Sequence, residues 1–232
     1  MKKLIGALAA LAALGGIGSF VVVQARHIGY NQGYAPDQPI AFSHAKHAGE
    51  LKMDCKYCHF ASDKGRHAGI PPTELCLNCH KHVKKNSPEI RKIHEAVESG
   101  ENVQWVKVNF FPDYAYFNHS QHVVVGGIDC KQCHGDMTKQ KELPRVVPVE
   151  ELNMIEGNIQ LTKPTLTMGW CIECHGEKEI ANGPVSGKGG GYYEEIHKRL
   201  LENDESLYED YLEDGKVTVK ELGGWECAKC HY

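Results

Sequence analysis

The sequence of 232 residues lacks the features of several common protein classes. Its formal net charge is −4, so it lacks the excess of basic residues that indicates a nucleic-acid-binding surface. No cysteine precedes Cys55, which excludes a lipid-modified N-terminal cysteine. There is also no isolated cysteine, because all ten lie in pairs separated by two residues. The placement of these pairs is the first feature to explain.

A histidine follows every cysteine pair directly, which makes five Cys-x-x-Cys-His motifs. With 14 histidines in 232 residues, and with the five cysteine pairs given, chance would place a histidine after all five only about once in a million cases. Motif 1 occupies residues 55–59, motif 2 residues 76–80, motif 3 residues 130–134, motif 4 residues 171–175 and motif 5 residues 227–231. The cysteines are Cys55, Cys58, Cys76, Cys79, Cys130, Cys133, Cys171, Cys174, Cys227 and Cys230, and the histidines are His59, His80, His134, His175 and His231.

Zinc and disulfide chemistry explain the motifs poorly. Zinc ribbons need two thiolate pairs per ion, or one pair with histidines at zinc-finger spacing, and five pairs leave one over. A redox dithiol needs one such motif in a βαβ setting. Covalent haem accounts for all the fixed positions, because two thiols form thioethers with the porphyrin and the adjacent histidine binds iron. We therefore predict five covalently attached haems c, with these ten cysteines as attachment points and these five histidines as proximal ligands.

The N-terminus predicts export of the remaining chain. Residues 4–23 contain no charge, and as a helix they would be about 30 Å long, the thickness of the hydrocarbon core of a bilayer. Lys2 and Lys3 precede this run, which places the short tail in the cytoplasm. A cleaved signal peptide is the alternative, but the apolar run exceeds its usual length. We expect a retained single-pass membrane anchor.

An internal repeat relates two parts of the chain. The segment FSHAKHAGELKMDCKYCH at residues 42–59 aligns without gaps on FNHSQHVVVGGIDCKQCH at residues 117–134, with eight identical positions of eighteen. Each copy contains two upstream histidines and is followed by a further motif. The predicted plan is an anchor at 1–25, a first haem pair at 26–100, a second haem pair at 101–182 and a C-terminal segment with the fifth haem at 183–232.

Between the motifs the sequence predicts a mainly irregular fold with short α-helices, since bound porphyrins replace much of the apolar core. A helix is expected after Ser87, with Pro88 in its first turn and Gly100 beyond its end. The alternation in residues 103–110 predicts a short strand.

The remaining histidines predict how the iron atoms are closed on the distal side. His44, His47, His119 and His122 lie three residues apart within each repeat copy, so one ring can reach the local haem and the other a neighbouring haem. A second imidazole gives a closed electron carrier, whereas an empty position allows a substrate to bind. For the fifth haem we name Met168 as the distal ligand, with His197 and His67 as open alternatives.

Several stretches resemble one family. FSHxxHAG, AGIPPTELCLNCH, WVKVNFFPDYAYFNHSQH, LTMGWCIECH and WECAKCHY resemble the pentahaem cytochrome c subunit of alternative complex III in bacteria. The pattern FxHxxH followed by CxxCH is also similar to the wider class III cytochrome c3/c7 group. The resemblance implies a class III cytochrome c-like domain behind one transmembrane helix, on the periplasmic side of the bacterial inner membrane.

The same resemblance implies partners and a function. The partners would be the iron–sulfur protein and integral membrane subunits of a quinol-oxidising complex, with a small cytochrome c or a terminal oxidase as electron acceptor. The chain would then transfer electrons and catalyse no reaction by itself. Two alternatives remain, a stand-alone quinol dehydrogenase and a multihaem reductase with one open haem.

Overall fold

The computed structural model describes residues 2–26, 31–140, 144–179 and 218–231. His197 and the expected boundary near residue 182 lie outside these ranges. Helix α1 spans Lys2–Arg26 and contains the apolar window Leu8–Ala25. In the described part of the chain it is the one helix whose length and composition suit a membrane span, and a signal sequence has the same character.

Helices begin at or just before all five motifs. Three of them are single turns, namely α2 (Cys55–Cys58), α5 (Cys130–His134) and α8 (Cys227–Cys230). Motif 2 lies in α3 (Thr73–His80), and motif 4 lies in α7 (Met168–Glu177). The aspartate shared by the two repeat copies caps two of these turns. Asp54 accepts from Lys56 N at 2.7 Å, and Asp129 accepts from Lys131 N at 2.9 Å.

Helix α4 (Pro88–Ser99) confirms the helix expected in this region. Ser87 lies at its N-cap position, and Gly100 ends it in the left-handed region with φ 72°. Helix α4 packs against α3, and its Ile90 and Ile93 are buried with Ile40. This small cluster positions motif 2, because Cys76 and Leu77 of α3 pack against it.

The strand predicted for residues 103–110 is wrong. The described residues contain no strand, only isolated bridges between Ala115 and His231 and between Glu179 and Thr218. Residues 103–110 lack a partner strand, and backbone groups of this segment bond to side chains instead. Val106 N donates to Gln38 Oε1 at 3.0 Å, and Val106 O accepts from Gln38 Nε2 at 2.9 Å. Alternating hydrophobicity cannot reveal whether a pairing partner exists.

A second apolar cluster lies under motifs 3 and 4. Its centre is Leu152 of α6 (Val149–Asn153) with Trp170 of α7, both buried. Cys133, Cys171 and Cys174 pack against it. Within the described residues both clusters are small, which suits a fold in which bound groups supply apolar surface.

The N-terminal part of the fold also contacts the second repeat region. Gly33 N donates to Val146 O at 2.8 Å, and Val146 N donates to Tyr34 O at 2.9 Å. Gly49 lies against the backbone at Thr138, where an added Cβ would be 2.2 Å from the carbonyl oxygen. Gly49 is therefore required for close approach and not for a turn.

Candidate haem-binding site

The first histidine of each repeat copy faces the histidine of its own motif. The ring centroids of His44 and His59 lie 6.5 Å apart with their planes 11° from parallel. The rings of His119 and His134 lie 6.4 Å apart with an angle of 7°. The repeat therefore produces the same arrangement twice.

The second histidine of each copy faces the following motif. His47 lies 6.1 Å from His80 of motif 2, with the ring planes at 59°. His122 lies 6.1 Å from His175 of motif 4, with the planes at 29°. The structure thus brings eight of the predicted site histidines together in four pairs.

These separations suit two imidazoles on opposite sides of one metal ion. An imidazole nitrogen binds Zn²⁺, and other first-row metals similarly, at about 2.0–2.1 Å. The ring centre lies roughly 1 Å behind that nitrogen, so two rings sharing an ion should have centres about 6 Å apart. The observed centroid distances are 6.1–6.5 Å. The residues present therefore fit haem iron at four motifs.

Wide helical turns position the upstream histidines. The π-helical segment π1 (Ala45–Glu50) follows His44 and contains His47, while π2 (Gln121–Val125) has the same relation to the second copy. π-turns are rare and occur often at functional sites. Here they turn the two histidines of each copy toward different motifs.

In each copy, one phenylalanine ring packs against both upstream histidines. Phe42 meets His44 edge-on at 4.9 Å and stacks on His47 at 4.4 Å. Phe117 meets the ring of His119 edge-on at 4.9 Å and stacks on His122 at 4.3 Å. This contact explains why phenylalanine is among the eight identical repeat positions.

Hydrogen bonds leave Nε2 of most rings available for iron. For seven of the nine histidines, Nδ1 lies 2.8–3.2 Å from a backbone carbonyl oxygen, an arrangement that fixes the tautomer and orients the ring. The pairs are His47 with Ser43, His59 with Gly69, His80 with Val83, His119 with Arg66, His122 with Asn118, His175 with Gly224, and His231 with Tyr114.

The surroundings also keep several rings neutral, as metal ligation requires. Desolvation by the surrounding protein, with smaller effects of neighbouring histidines, lowers the pKa of His44 and that of His134 to about 4. Desolvation also lowers the pKa of His122. Burial, with a smaller contribution from neighbouring cysteines, raises the pKa of the Cys133 thiol to about 12. Burial therefore favours the neutral form of these three imidazoles and of the Cys133 thiol.

Motif 5 has a different environment. Helix α7 contacts the segment π3 (Lys220–Gly224), which precedes motif 5. Among the described residues, the ring in contact with that of His231 belongs to Tyr114, with the centroids 5.9 Å apart and the planes tilted by 33°. The Tyr114 carbonyl accepts from His231 Nδ1 at 3.2 Å, so this contact does not involve Nε2. Met168, the first residue of α7, is 66% exposed.

His94 has a role that the sequence did not define, and His67 lies next to a residue that contacts His119. His94 of α4 uses Nε2 in a contact with the His80 carbonyl at 3.2 Å, which supports motif 2 and occupies the nitrogen that a ligand would use. His67 follows Arg66, whose carbonyl accepts from both the backbone and the ring of His119. The sequence cannot reveal such carbonyl partners, because every residue has one.

A buried polar atom near motifs 3 and 4 also fits a bound cofactor. Trp170 Nε1 is buried with no hydrogen-bond partner among the described residues, and Trp170 belongs to the cluster against which three motif cysteines pack. A buried indole N–H usually finds an acceptor. Haem propionates are acceptors of suitable chemistry.

Comparison with known proteins agrees with this geometry. Residues 115–232 match the family described as cytochrome c7 and related cytochrome c. The chain belongs to this family. It is also 34% identical over 150 residues to the multiheme cytochrome c subunit of menaquinone reductase from Nitratidesulfovibrio vulgaris, covering 60% of this chain and 68% of that protein. As a member of the cytochrome c7 family it carries covalently bound haem c and is an electron-transfer protein, not itself a catalyst.

Proposed function

We propose that this chain is the pentahaem electron-transfer subunit of a membrane complex that exchanges electrons with the quinone pool. The observation that carries the proposal is the set of four histidine pairs at 6.1–6.5 Å, each completed by its own cysteine pair. Haem supplies reversible one-electron chemistry when it is bound. Imidazoles on both faces leave no position for a substrate, so these four sites transfer electrons only.

The proposed ligand set follows from the pairs. His59 and His44 hold the first haem, His80 and His47 the second, His134 and His119 the third, and His175 and His122 the fourth. His231 is the proximal ligand of the fifth haem. The ten motif cysteines form the thioethers.

Met168 is the proposed distal ligand of the fifth haem. It lies one turn before Cys171 on α7. Burial first, and then the proximity of Cys230, raises the pKa of the Cys171 thiol to about 11, so motif 5 lies close to this turn of α7. A thioether ligand would raise the potential of this haem relative to one with two imidazoles.

Contacts between motifs support an arrangement in the order 2–1–3–4–5. The first repeat copy joins motifs 1 and 2, because His44 faces motif 1 and His47 faces motif 2. The second copy joins motifs 3 and 4 in the same way through His119 and His122. Burial first, and then the proximity of Cys55, raises the pKa of the Cys130 thiol, so motifs 1 and 3 lie next to each other. Trp225 Nε1 donates to Ile172 O at 3.0 Å, which joins motifs 4 and 5. Motifs 2 and 5 are therefore the proposed ends.

We further propose that α1 anchors the chain in the bacterial inner membrane, with the haem domain in the periplasm. The apolar window Leu8–Ala25 supports the anchor. The partners would be an iron–sulfur protein and integral membrane subunits, as in alternative complex III, with a small cytochrome c or terminal oxidase as acceptor. Electrons would flow from quinol toward that acceptor.

The opposite direction is a second candidate, because the relative from Nitratidesulfovibrio vulgaris is named for menaquinone reduction. In that case a periplasmic electron donor would reduce the haems, and the complex would pass the electrons to menaquinone.

Stopped-flow absorption of the complex purified from its own membrane tests the proposal and the direction. With the haems oxidised, a menaquinol analogue should reduce them in the complex and not in the isolated chain. Equally fast reduction of the isolated chain would instead support a stand-alone quinol dehydrogenase. If reduced haems are reoxidised by a menaquinone analogue while menaquinol reduces none of them, the direction is that of a menaquinone reductase.

A further inference from the structure

The proximal histidine of motif 3 differs from the others in its hydrogen-bond partner. Seven of the nine paired or motif histidines place Nδ1 against a backbone carbonyl. His134 instead places Nδ1 3.4 Å from the side-chain amide nitrogen of Asn109. His59, its counterpart in the first repeat copy, bonds to the Gly69 carbonyl at 2.8 Å.

The protonation of the ring decides which amide atom faces it. An imidazole that binds metal through Nε2 carries its proton on Nδ1, so Nδ1 must donate. The amide nitrogen is also a donor, and two donors cannot bond. The amide oxygen and nitrogen have nearly the same shape, and their assignment depends on the hydrogen-bond network. The network here requires Oδ1 of Asn109 to face His134.

We propose that Asn109 is a positioning residue that accepts the Nδ1 hydrogen bond of His134 and thereby sets the reduction potential of the third haem. The inference rests on the proposed ligand set. A side chain would therefore control the reduction potential of this one haem. The other seven rings bond to backbone carbonyls, which a side-chain substitution leaves in place.

The segment that carries Asn109 is held on both sides. Val106 exchanges two hydrogen bonds with the side chain of Gln38, at 2.9 and 3.0 Å. Phe111 stacks on Phe117 with ring centroids 5.3 Å apart. Phe117 in turn contacts His119, the distal partner of His134. The same segment therefore supports both faces of the third haem site.

The chemistry predicts the sign of the effect. A stronger acceptor at Nδ1 makes the imidazole a more basic ligand, which stabilises ferric iron and lowers the potential. Removal of the acceptor makes the ring a weaker donor and raises the potential.

The test is a redox titration of the full haem-loaded protein, followed by the electron paramagnetic resonance signals of its ferric haems. Asn109→Leu should raise the midpoint of one haem. Removal of an outer-shell partner predicts about a tenfold change in the ferrous-to-ferric ratio at a fixed potential, or about 59 mV for one electron. Asn109→Asp supplies a stronger acceptor and should lower the midpoint of the same haem.

Asn118→Asp is the matched control for the added charge. It introduces a carboxylate beside the neighbouring ligands, but the acceptor for His122 is the Asn118 backbone carbonyl, at 2.8 Å. Its Oδ1 cap on Ser120 N, at 3.0 Å, is also retained. A shift of the same haem as large as that of Asn109→Asp would overturn the inference, because charge alone would explain it.

Three other results would also contradict the role of Asn109. They are unchanged midpoints in Asn109→Leu, equal shifts of all five haems, and shifts of the same sign in the leucine and aspartate variants. The haem content of each variant distinguishes failure of the role assigned to Asn109 from failure of the proposed function. Five haems with an unmoved midpoint would refute only the role of Asn109.

Discussion

In the first repeat copy, residues 42–59, Phe42 stacks on His47 at 4.4 Å, and in the second, residues 117–134, Phe117 stacks on His122 at 4.3 Å. The motif rings are paired at 6.5 and 6.4 Å. Ten of the eighteen aligned positions nevertheless differ. The comparison shows that the repeat preserves ligand geometry, while its support changes with the surrounding fold.

Position 49 shows such a change. The first copy has Gly49, pressed against the Thr138 carbonyl, where the second has Val124, which is 37% exposed. The proximal rings differ as well, since His59 bonds to a backbone carbonyl and His134 faces the Asn109 side chain. Neighbouring segments, and not the repeat itself, account for these differences.

Replacement of the first histidine should have the largest effect, and the same effect in both copies. His44→Ala and His119→Ala each remove one distal imidazole, so carbon monoxide should bind about one additional haem in each reduced variant. Absorption difference spectra measure this binding. Lys46→Ala and Gln121→Ala are controls, because these exposed residues lie on the same turns. An unchanged carbon monoxide response in either histidine variant would refute the assigned pair.

Exchange of the residues at the position of Gly49 and Val124 should destabilise the two copies to different degrees. Gly49→Val forces a Cβ toward a carbonyl oxygen that lies 2.2 Å from its ideal position. Overpacking of this kind lowers the free energy of unfolding by about 1–3 kcal/mol. Val124→Gly should cost only about 0.5–1 kcal/mol, the usual effect of backbone flexibility. Urea unfolding of the haem-loaded protein, followed by circular dichroism, compares the two. Equal costs would mean that contact with Thr138 does not constrain the first copy.

Removal of the shared N-cap should have a smaller effect. Asp54→Ala and Asp129→Ala each remove a cap, which typically lowers the free energy of unfolding by about 0.5–2 kcal/mol. The cost should be lower in the second copy, because Gln132 Oε1 accepts from Asp129 N at 3.0 Å and that bond survives the substitution. The urea midpoints of the two alanine variants test which copy loses more stability. Asp54→Asn and Asp129→Asn are the controls, because asparagine retains the cap. A greater loss in the second copy would contradict the role of Gln132.

The finest difference between the copies is the angle between paired rings. His44 and His119 lie within 11° and 7° of parallel with their partners, whereas His47 is at 59° and His122 at 29°. Parallel imidazoles separate the iron d orbitals that accept π donation, and crossed imidazoles leave them closer in energy. Of the four haems with paired histidines, the second should therefore give the most axial ferric signal in electron paramagnetic resonance. His47→Ala should remove that signal, and its persistence would contradict the assignment.

Much of the candidate site could be predicted from covalent chemistry and spacing. Helix α4 was predictable from Pro88 and Gly100, because both act locally. The match to the cytochrome c7 family supports bound haem c, while the individual ligands, including Met168, stay predictions. The segment at 103–110 could not be predicted, since a strand depends on a distant partner. Asn109 was not predicted either, because its contact with His134 spans 25 residues and no local pattern indicates it.

The most direct test of the central claim is carbon monoxide binding to the reduced, unmodified protein, with the haem content measured on the same sample. The account predicts five haems per chain and a carbon monoxide response from at most one, the fifth. Fewer than five haems would contradict the pentahaem proposal, and a response from two or more haems would contradict the four histidine pairs on which the electron-transfer function rests.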